Sequence, residues 1–322
     1  MHWHYSNLFA SLSMKIFIII LNWNRADDTL DCLKSVEKLQ ITNYKLQIII
    51  VDNASTDDSI KKIKKGIKST TSTKGIISKI IGNRTNLGFA AGNNVGVKYA
   101  LDQGADYIMV LNNDTVVDKN LLIEFLKALK KYPKAGILSP KIYFASGFEF
   151  HKDRYKKSEL GKVIWYSGGK IDWNNVYGFG RGVDEVDNGQ YDEVTETDFA
   201  TGTCMFLSRN ALEKVGLFDE KYFMYFEDTD LSMRLKRVGF RVFYVPRAVL
   251  WHKVAQSSGI GSDLNDYFIT RNRLLFGMRY AKLRTRFALY RESLRFLLSG
   301  RVWQRKGVLD FYLGRLGKGS WH

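Results

Sequence analysis

Residues 46–58, LQIIIVDNASTDD, run from a compact apolar stretch straight into a cluster of helix-capping side chains. Residues 46–51 have the length and continuous apolar character of a buried strand. The stretch Asp52-Asn53-Ala54-Ser55-Thr56-Asp57-Asp58 then supplies Ser, Thr and Asp, whose oxygens accept from the free N–H groups of a helix's first turn. The unit is therefore strand, polar turn, helix.

The same unit recurs on both sides. Residues 15–21 form an apolar β run broken by Asn22-Trp23-Asn24, and residues 27–39 carry Leu30, Leu33, Val36 and Leu39 at helical spacing. Residues 76–81 read as a third strand and 87–101 as a helix of small residues. Residues 107–111 read as a fourth strand ending in Asn112-Asn113-Asp114, and 121–129 as another helix. Four alternations predict an α/β fold with a doubly wound, Rossmann-like, mostly parallel sheet. Ligands of such sheets bind beyond the carboxyl ends of the strands. Asn22 and Asn24, Asp52, Asn86, and Asn112, Asn113 and Asp114 all follow strand ends, so their convergence marks a site.

Past Ala135 the alternation stops. Residues 144–191 read as loops and short antiparallel strands, 199–207 as a strand and Arg209–Val215 as a short helix. Residues 218–252, FDEKYFMYFEDTDLSMRLKRVGFRVFYVPRAVLWH, place Glu227, Asp228 and Asp230 on the first turn of a helix marked by Leu231, Leu235 and Val238. Gly239 is its stop, and FRVFYV is a strand ended by Pro246. Acids at a helix start ordinarily cap it and complement its dipole. Three of them flanked by Tyr222, Phe223, Tyr225 and Phe226 also suit a carboxylate at the wall of an aromatic pocket.

Composition narrows the class. The 322 residues are 45% hydrophobic, enough for one large domain with a substantial core. Two widely separated cysteines, Cys32 and Cys204, show no metal or redox spacing and fit a reduced cytosolic protein. No apolar run reaches the roughly 18 residues that span a bilayer. The opening MHWHYSNLFASLS lacks the features of a signal peptide, and residues 1–13 are expected to be a poorly ordered extension. The net charge of +16 is uneven: residues 270–322 hold thirteen Lys/Arg against two Asp/Glu, a surplus of eleven. That asymmetry suits an acidic partner surface. Residues 284–298, RTRFALYRESLRFLL, suit an amphipathic helix on an anionic membrane or a core-docked helix with a solvated basic face.

Five segments in order, IIILNWN (18–24), VDNAST (51–56), NLGFAAGNN (86–94), LNNDT (111–115) and residues 216–252, together resemble the family 2 glycosyltransferases and, more narrowly, their rhamnosyltransferase-like branch. The resemblance covers about residues 15–273. It implies a GT-A fold and inverting transfer from a nucleotide-sugar donor, dTDP-rhamnose or a UDP- or GDP-sugar. The acceptor would be a saccharide or lipid-linked saccharide of a bacterial surface polysaccharide.

By matching position, Asp52 would contact the nucleotide base, with Asn22, Asn24, Asn86, Asn112 and Asn113 also lining the donor site. Asp114 would ligate Mg²⁺ or Mn²⁺ with His252, and Arg271 and Arg273 would hold the diphosphate. Asp228, beside Glu227, would be the catalytic base, and Gly202, Tyr225 and Trp251 would meet the acceptor. The family's DxD element reads Asn112-Asn113-Asp114 here, which leaves Asn112 without a metal role.

The implied organisation is a GT-A domain over 14–266, with a nucleotide-sugar half (14–134) and an acceptor-binding, catalytic half (135–266), then a basic helical segment over 267–322. The expected location is cytoplasmic, peripheral on the inner face of the plasma membrane. A nucleotidyltransferase would need a Gly-rich basic loop after the first strand, which Asn22-Trp23-Asn24 is not. A nucleic-acid binder would use the basic tail but leave Asp52, Asp114 and Asp228 idle, so no nucleic acid is expected. A non-catalytic sugar-nucleotide-binding homologue is the other alternative.

Overall fold

The computed structural model describes residues 14–40, 44–70, 77–254 and 262–321. The expectation for residues 1–13 lies outside them. The first half builds β1 (Met14–Asn22), α1 (Ala26–Val36), β2 (Tyr44–Asp52), α2 (Ser59–Thr70), β3 (Ile77–Gly82), α3 (Gly88–Asp102), β4 (Tyr107–Asn112), β5 (Thr115–Val117) and α4 (Leu121–Lys131). The second half builds β6 (Ala135–Phe144), β7 (Ile164–Tyr166), β8 (Gly169–Asp172), β9 (Tyr177–Gly180), β10 (Thr195–Glu196) and β11 (Cys204–Ser208). It continues through α5 (Arg209–Val215), α6 (Glu227–Arg237), β12 (Arg241–His252), α7 (Asp263–Tyr280), α8 (Leu283–Ser299) and α9 (Val302–Tyr312).

One mixed sheet runs in the order β10-β12-β6-β11-β4-β1-β2-β3, with β5 on β12 and β7 on β6. Strands β3, β2, β1 and β4 are parallel, β11 enters antiparallel, and β6 and β12 are parallel to each other. Residues 16–20 of β1 are fully buried, which explains their unbroken apolar run. The register pairs Asn22 with Asp52, Leu21 with Asn112 and Asp52 with Gly82, so the polar ends of four strands form one edge. Helix α3 lies tightly on this sheet because Gly96 has no Cβ; one placed there would sit 2.5 Å from Ile19 Cγ2.

Three expectations are corrected. The alternation does not stop at Ala135: β6 is a ten-residue central strand that sequence pattern alone missed. Its Ser139-Pro140-Lys141 interrupts the apolar run, yet Lys141 is buried on an ion pair with Asp187 at 2.7 Å. The strand expected over 199–207 is only β11; residues 199–201 are irregular and 202–203 form a turn. Strand β12 is not ended by Pro246: its register on β6 shifts between Val245 and Val249, and it then resumes to His252. Proline lacks the N–H a ladder needs, so the chain bulges around it.

The 134/135 boundary falls at the start of β6, whose sheet is continuous with β4 through β11, and the 266/267 boundary falls inside α7. Among the described residues no helix is long and apolar enough to cross a membrane.

Gly96→Ala is expected to lower stability by about 1–2 kcal/mol, because overpacking against Ile19 outweighs alanine's better helix propensity. Urea unfolding checks it: the midpoint should fall with the slope unchanged.

Candidate active site

The strand ends are first bound to one another. Asn22, fully buried, donates from Nδ2 to Asp52 Oδ1 (2.8 Å) and Ser55 Oγ (3.1 Å) and accepts from Thr29 Oγ1 (2.8 Å). Asp52, 1% exposed, also accepts from the Ser55 amide and hydroxyl. Asn24 accepts from the Thr56 amide at 2.7 Å in a left-handed backbone, φ 53°. These three residues brace the β1 and β2 loops, and none lines the adjoining cavity. The carboxylate of Asp52, expected at the nucleotide base, is engaged inside its own loop.

That cavity, about 540 Å³, is lined by Trp23, Ala54, Asn86, Asn112, Asn113 and Asp114, with Phe223, Lys318 and Trp321 opposite. Asn53 positions its far wall, donating to Asn86 Oδ1 (2.8 Å) and the Gly88 carbonyl (3.1 Å).

The β5–β12 pairing sets His252 opposite Thr115 and brings its Nε2 to 3.1 Å from Asp114 Oδ1. His252 Nδ1 is buried without a hydrogen-bond partner. No group of three or more His, Cys, Asp or Glu side chains suited to a metal occurs among the described residues. Two protein donors, one carboxylate and one imidazole, still fit Mg²⁺ or Mn²⁺, which take their remaining ligands from phosphate and water. Trp251 precedes His252 on the strand and faces the other way, as strand geometry requires. Its Nε1 donates to the Gly161 carbonyl at 2.9 Å, and it lines neither the donor-side cavity nor the one at Asp228.

The loop before α6 holds Phe223, Tyr225 and Phe226 at φ 64°, 68° and 72°, a left-handed run rare for bulky residues. It is held from beneath by α7. Asn272 Nδ2 lies within hydrogen-bond distance of the carbonyls of Tyr222 (2.8 Å), Met224 (2.7 Å) and Tyr225 (2.9 Å). Arg271, fully buried, donates to the carbonyls of Tyr222 (3.0 Å) and Lys221 (3.3 Å). Arg271 thus braces this loop. Arg273 faces elsewhere too, donating to the Asn175 carbonyl and pairing with Glu292 at 2.8 Å. Neither arginine, both expected at the diphosphate, lines the larger cavity. From above, the Phe223 carbonyl accepts from the amides of Phe89 (2.7 Å) and Ala90 (3.1 Å) in the first turn of α3. Gly88 makes this approach possible, since a Cβ there would lie 2.5 Å from the Phe223 carbonyl oxygen.

The three acids of α6 have three environments. Asp230 is fully buried and ion-paired with Arg234 (2.7 Å) and Arg279 (3.1 Å). Glu227 is buried with Oε2 unpartnered, and burial, then the neighbouring Asp228 charge, push its carboxyl well above the ordinary range. Asp228 Oδ2 accepts from the Gly202 amide (2.8 Å) and Oδ1 from the Thr229 amide (2.6 Å). Burial raises the Asp228 carboxyl above its usual value, against the pull of those N–H groups. Asp228 opens into a cavity of about 250 Å³ walled by Tyr177, Phe199, Tyr225 and Phe226. Gly202 belongs to the turn that carries Asp228: its amide holds the acid while the adjacent Thr203 carbonyl accepts from the Asn112 amide at 2.9 Å. The acid and the Asn-Asn-Asp turn are thereby joined across two adjacent residues.

Sequence reasoning missed Tyr177, Phe199, Lys318 and Trp321 as wall residues. Tyr177 opens the short strand β9 and Phe199 lies in irregular chain, and the last two lie beyond the motif-bearing stretch, where nothing but basic charge stood out.

An open α/β sheet with its polar carboxyl edge bridged to a buried acid is the architecture of the GT-A glycosyltransferases, and solved structures of that fold match more than nine-tenths of the chain. A mannosyltransferase from Pyrobaculum calidifontis, solved with GDP-Man and Mn²⁺, superposes with a TM-score of 0.56 at 14% identity over 93% of this chain and 79% of its own. Staphylococcus aureus TarS 1–349, solved with UDP-GlcNAc, gives 0.56 at 14% identity over 92% of this chain and 79% of its own. The chain belongs to glycosyl transferase family 2, whose model matches residues 17–216; that of glycosyl transferase family group 2 matches residues 184–315. It is an enzyme of the transferase class.

Relatives include the N-acetylglucosaminyl-diphospho-decaprenol L-rhamnosyltransferase of Mycobacterium tuberculosis, 26% identical over 68% of this chain and 70% of that protein. A low-salt glycan biosynthesis hexosyltransferase of Haloferax volcanii is 23% identical over 70% of this chain and 62% of its own. The poly-beta-1,6-N-acetyl-D-glucosamine synthase of Staphylococcus epidermidis is 25% identical over 76% of this chain and 51% of its own.

Glu227 yields a prediction with a definite sign. A buried carboxyl with a raised pKa keeps its proton in the folded state after the unfolded chain has released it. Wild-type stability should therefore fall as pH rises from about 4 through that raised value, while Glu227→Gln lacks this slope. Urea titrations over a pH series check it, and parallel curves for the two proteins would disprove it.

Proposed function

We propose that the enzyme is an inverting transferase that moves a sugar, rhamnose in the first instance, from a nucleoside diphosphate donor to a lipid-linked saccharide in surface polysaccharide synthesis. The observation that carries this reading is the Gly202–Thr203 bridge, which ties Asp228 to the Asn112-Asn113-Asp114 turn. The rhamnosyltransferase relative supports the donor and the lipid-diphosphate acceptor; UDP- and GDP-sugars are the competing donors. Mn²⁺ in the P. calidifontis structure supports a metal requirement.

In this reading the nucleotide occupies the larger cavity against Trp23, with its diphosphate toward Asp114 and Lys318. Asp114 and His252 are the residues that would hold a divalent cation, which when bound offsets the negative charge of the departing diphosphate. The acceptor hydroxyl sits in the smaller cavity beside Asp228. Asp228 takes the hydroxyl proton as the oxygen bonds to the anomeric carbon, and the bond to the diphosphate oxygen breaks in line, that oxygen keeping the electron pair. The Gly202 and Thr229 amides fix the carboxylate's orientation, and its burial suits it to a base. The enzyme works at the cytoplasmic face of the membrane, where such donors are made.

Asp228→Asn is expected to lower kcat by about 10²–10⁴ while leaving donor binding intact. Because the base works deprotonated and its pKa is raised, wild-type kcat/KM should rise with pH through a value above that of an ordinary aspartate and then level. A transfer assay over pH checks both; wild-type rates in Asp228→Asn would remove Asp228 as base. Thermal shifts with dTDP, UDP, GDP and CDP, with and without Mn²⁺, identify the donor. A saturating ligand at about 100 times Kd adds about 2.7 kcal/mol of stability, and Asp114→Ala should abolish the metal-dependent part.

A further inference from the structure

Helix α8 turns an apolar stripe outward. Leu283, Phe287, Tyr290, Leu294 and Leu298 recur every three or four residues along one side and are 41% to 83% exposed. The opposite side docks: Leu289 is buried against Gly277 of α7, and Ser293 Oγ lies 2.7 Å from the Tyr312 phenolic hydroxyl on α9. Exposed apolar residues continue on α9 at Val302 and Leu309 and just past it at Leu313. Arg284, Arg291 and Arg295 each follow a stripe residue by one position, so they stand together on one flank, about 100° round the helix.

Behind that flank lies a cavity of about 460 Å³ lined by Arg273, Arg291, Arg295, Asn174, Asn175 and Glu292. Glu292 pairs with Arg273, whereas Arg291 and Arg295 form no ion pair among the described residues. Arg273 stacks on Tyr177 at 4.3 Å, and Tyr177 is also a wall of the Asp228 cavity.

We propose that this face of α8 is a docking surface for an anionic lipid bilayer. The apolar stripe enters the headgroup–acyl boundary with the helix lying in the plane of the interface, and the arginine flank with its cavity receives lipid phosphates. The occupant follows from charge complementarity: residues 270–322 carry a surplus of eleven positive charges, and the arginines border the stripe directly. A bilayer matches a stripe of this length with a basic border. The helix rests on the membrane and does not cross it. Resting on the function proposed above, the arrangement turns the Arg273–Tyr177 edge of the Asp228 cavity toward the lipid surface, where a lipid-carried acceptor is anchored.

Cosedimentation of the full chain with vesicles, without donor or acceptor, tests it. Vesicles of phosphatidylcholine containing phosphatidylglycerol should bind the protein at least about tenfold better than phosphatidylcholine alone, and added salt should weaken binding. Leu294→Ser with Leu298→Ser should lower partitioning at least about tenfold. Arg291→Gln and Arg295→Gln should each lower it roughly fivefold on the anionic vesicles only. The nucleotide-induced thermal shift of each variant, unchanged from wild type, shows that the fold is intact. Equal binding to both vesicle types, or wild-type binding by the Leu variant, overturns the proposal. A dimer in light scattering that the Leu variant dissociates, with no vesicle binding, overturns it in favour of a self-interface. Failure here leaves the transferase reading standing, and failure of the nucleotide shift leaves vesicle binding standing.

Discussion

A buried Arg-Asn pair holds the catalytic side of this molecule in shape. Residues 223–226 contain three left-handed, non-glycine residues, a conformation that costs of order 1–3 kcal/mol each. It persists because Arg271 and Asn272 fix the carbonyls of Lys221, Tyr222, Met224 and Tyr225 from below, while the amides of α3 bind the Phe223 carbonyl from above. The strained loop separates the two cavities, with Phe223 facing one and Tyr225 the other. A buried guanidinium is stable there because it donates to carbonyls and lies 5.0 Å from the Phe268 ring centre.

Strands β1, β2 and β4 were legible in sequence because burial leaves apolar runs and polar turns mark where each run ends, whereas β3, the partly exposed edge strand, was read through Ser78 and Lys79. Strand β6 was not, because its burial includes a lysine neutralised by aspartates from a distant loop, a pairing that no local pattern shows. Proline hid the continuation of β12 for a similar reason: a bulge absorbs its missing N–H, and only the register on β6 reveals it.

The site was legible as residue types and less so as roles. Asn86, Asn112, Asn113 and Asp114 line the larger cavity, and Asp114 meets His252 across the β5–β12 ladder. Polar residues one step further in, Asn22, Asp52 and Arg271, turned out to bind backbone and loops. Sequence reports a polar side chain near a strand end without reporting whether it points out or back. Trp251 is the same lesson in a strand, where neighbouring positions face opposite sides. The acids of α6 divide by environment as well: one is paired with arginines, one is buried unpaired, and one is open to a cavity.

The Gly202–Thr203 step has a consequence for how this enzyme can diversify. Asp228 and the Asn112 backbone are hydrogen-bonded to the neighbouring residues Gly202 and Thr203, so the separation between the acid and the Asn112-Asn113-Asp114 turn is a ruler only two residues long. Of the aromatic walls around it, Tyr177 stands on the β8–β9 hairpin, which carries no part of that ruler. Changes in that hairpin can therefore re-cut the shape of what enters the smaller cavity while the span between the acid and the turn stays constant.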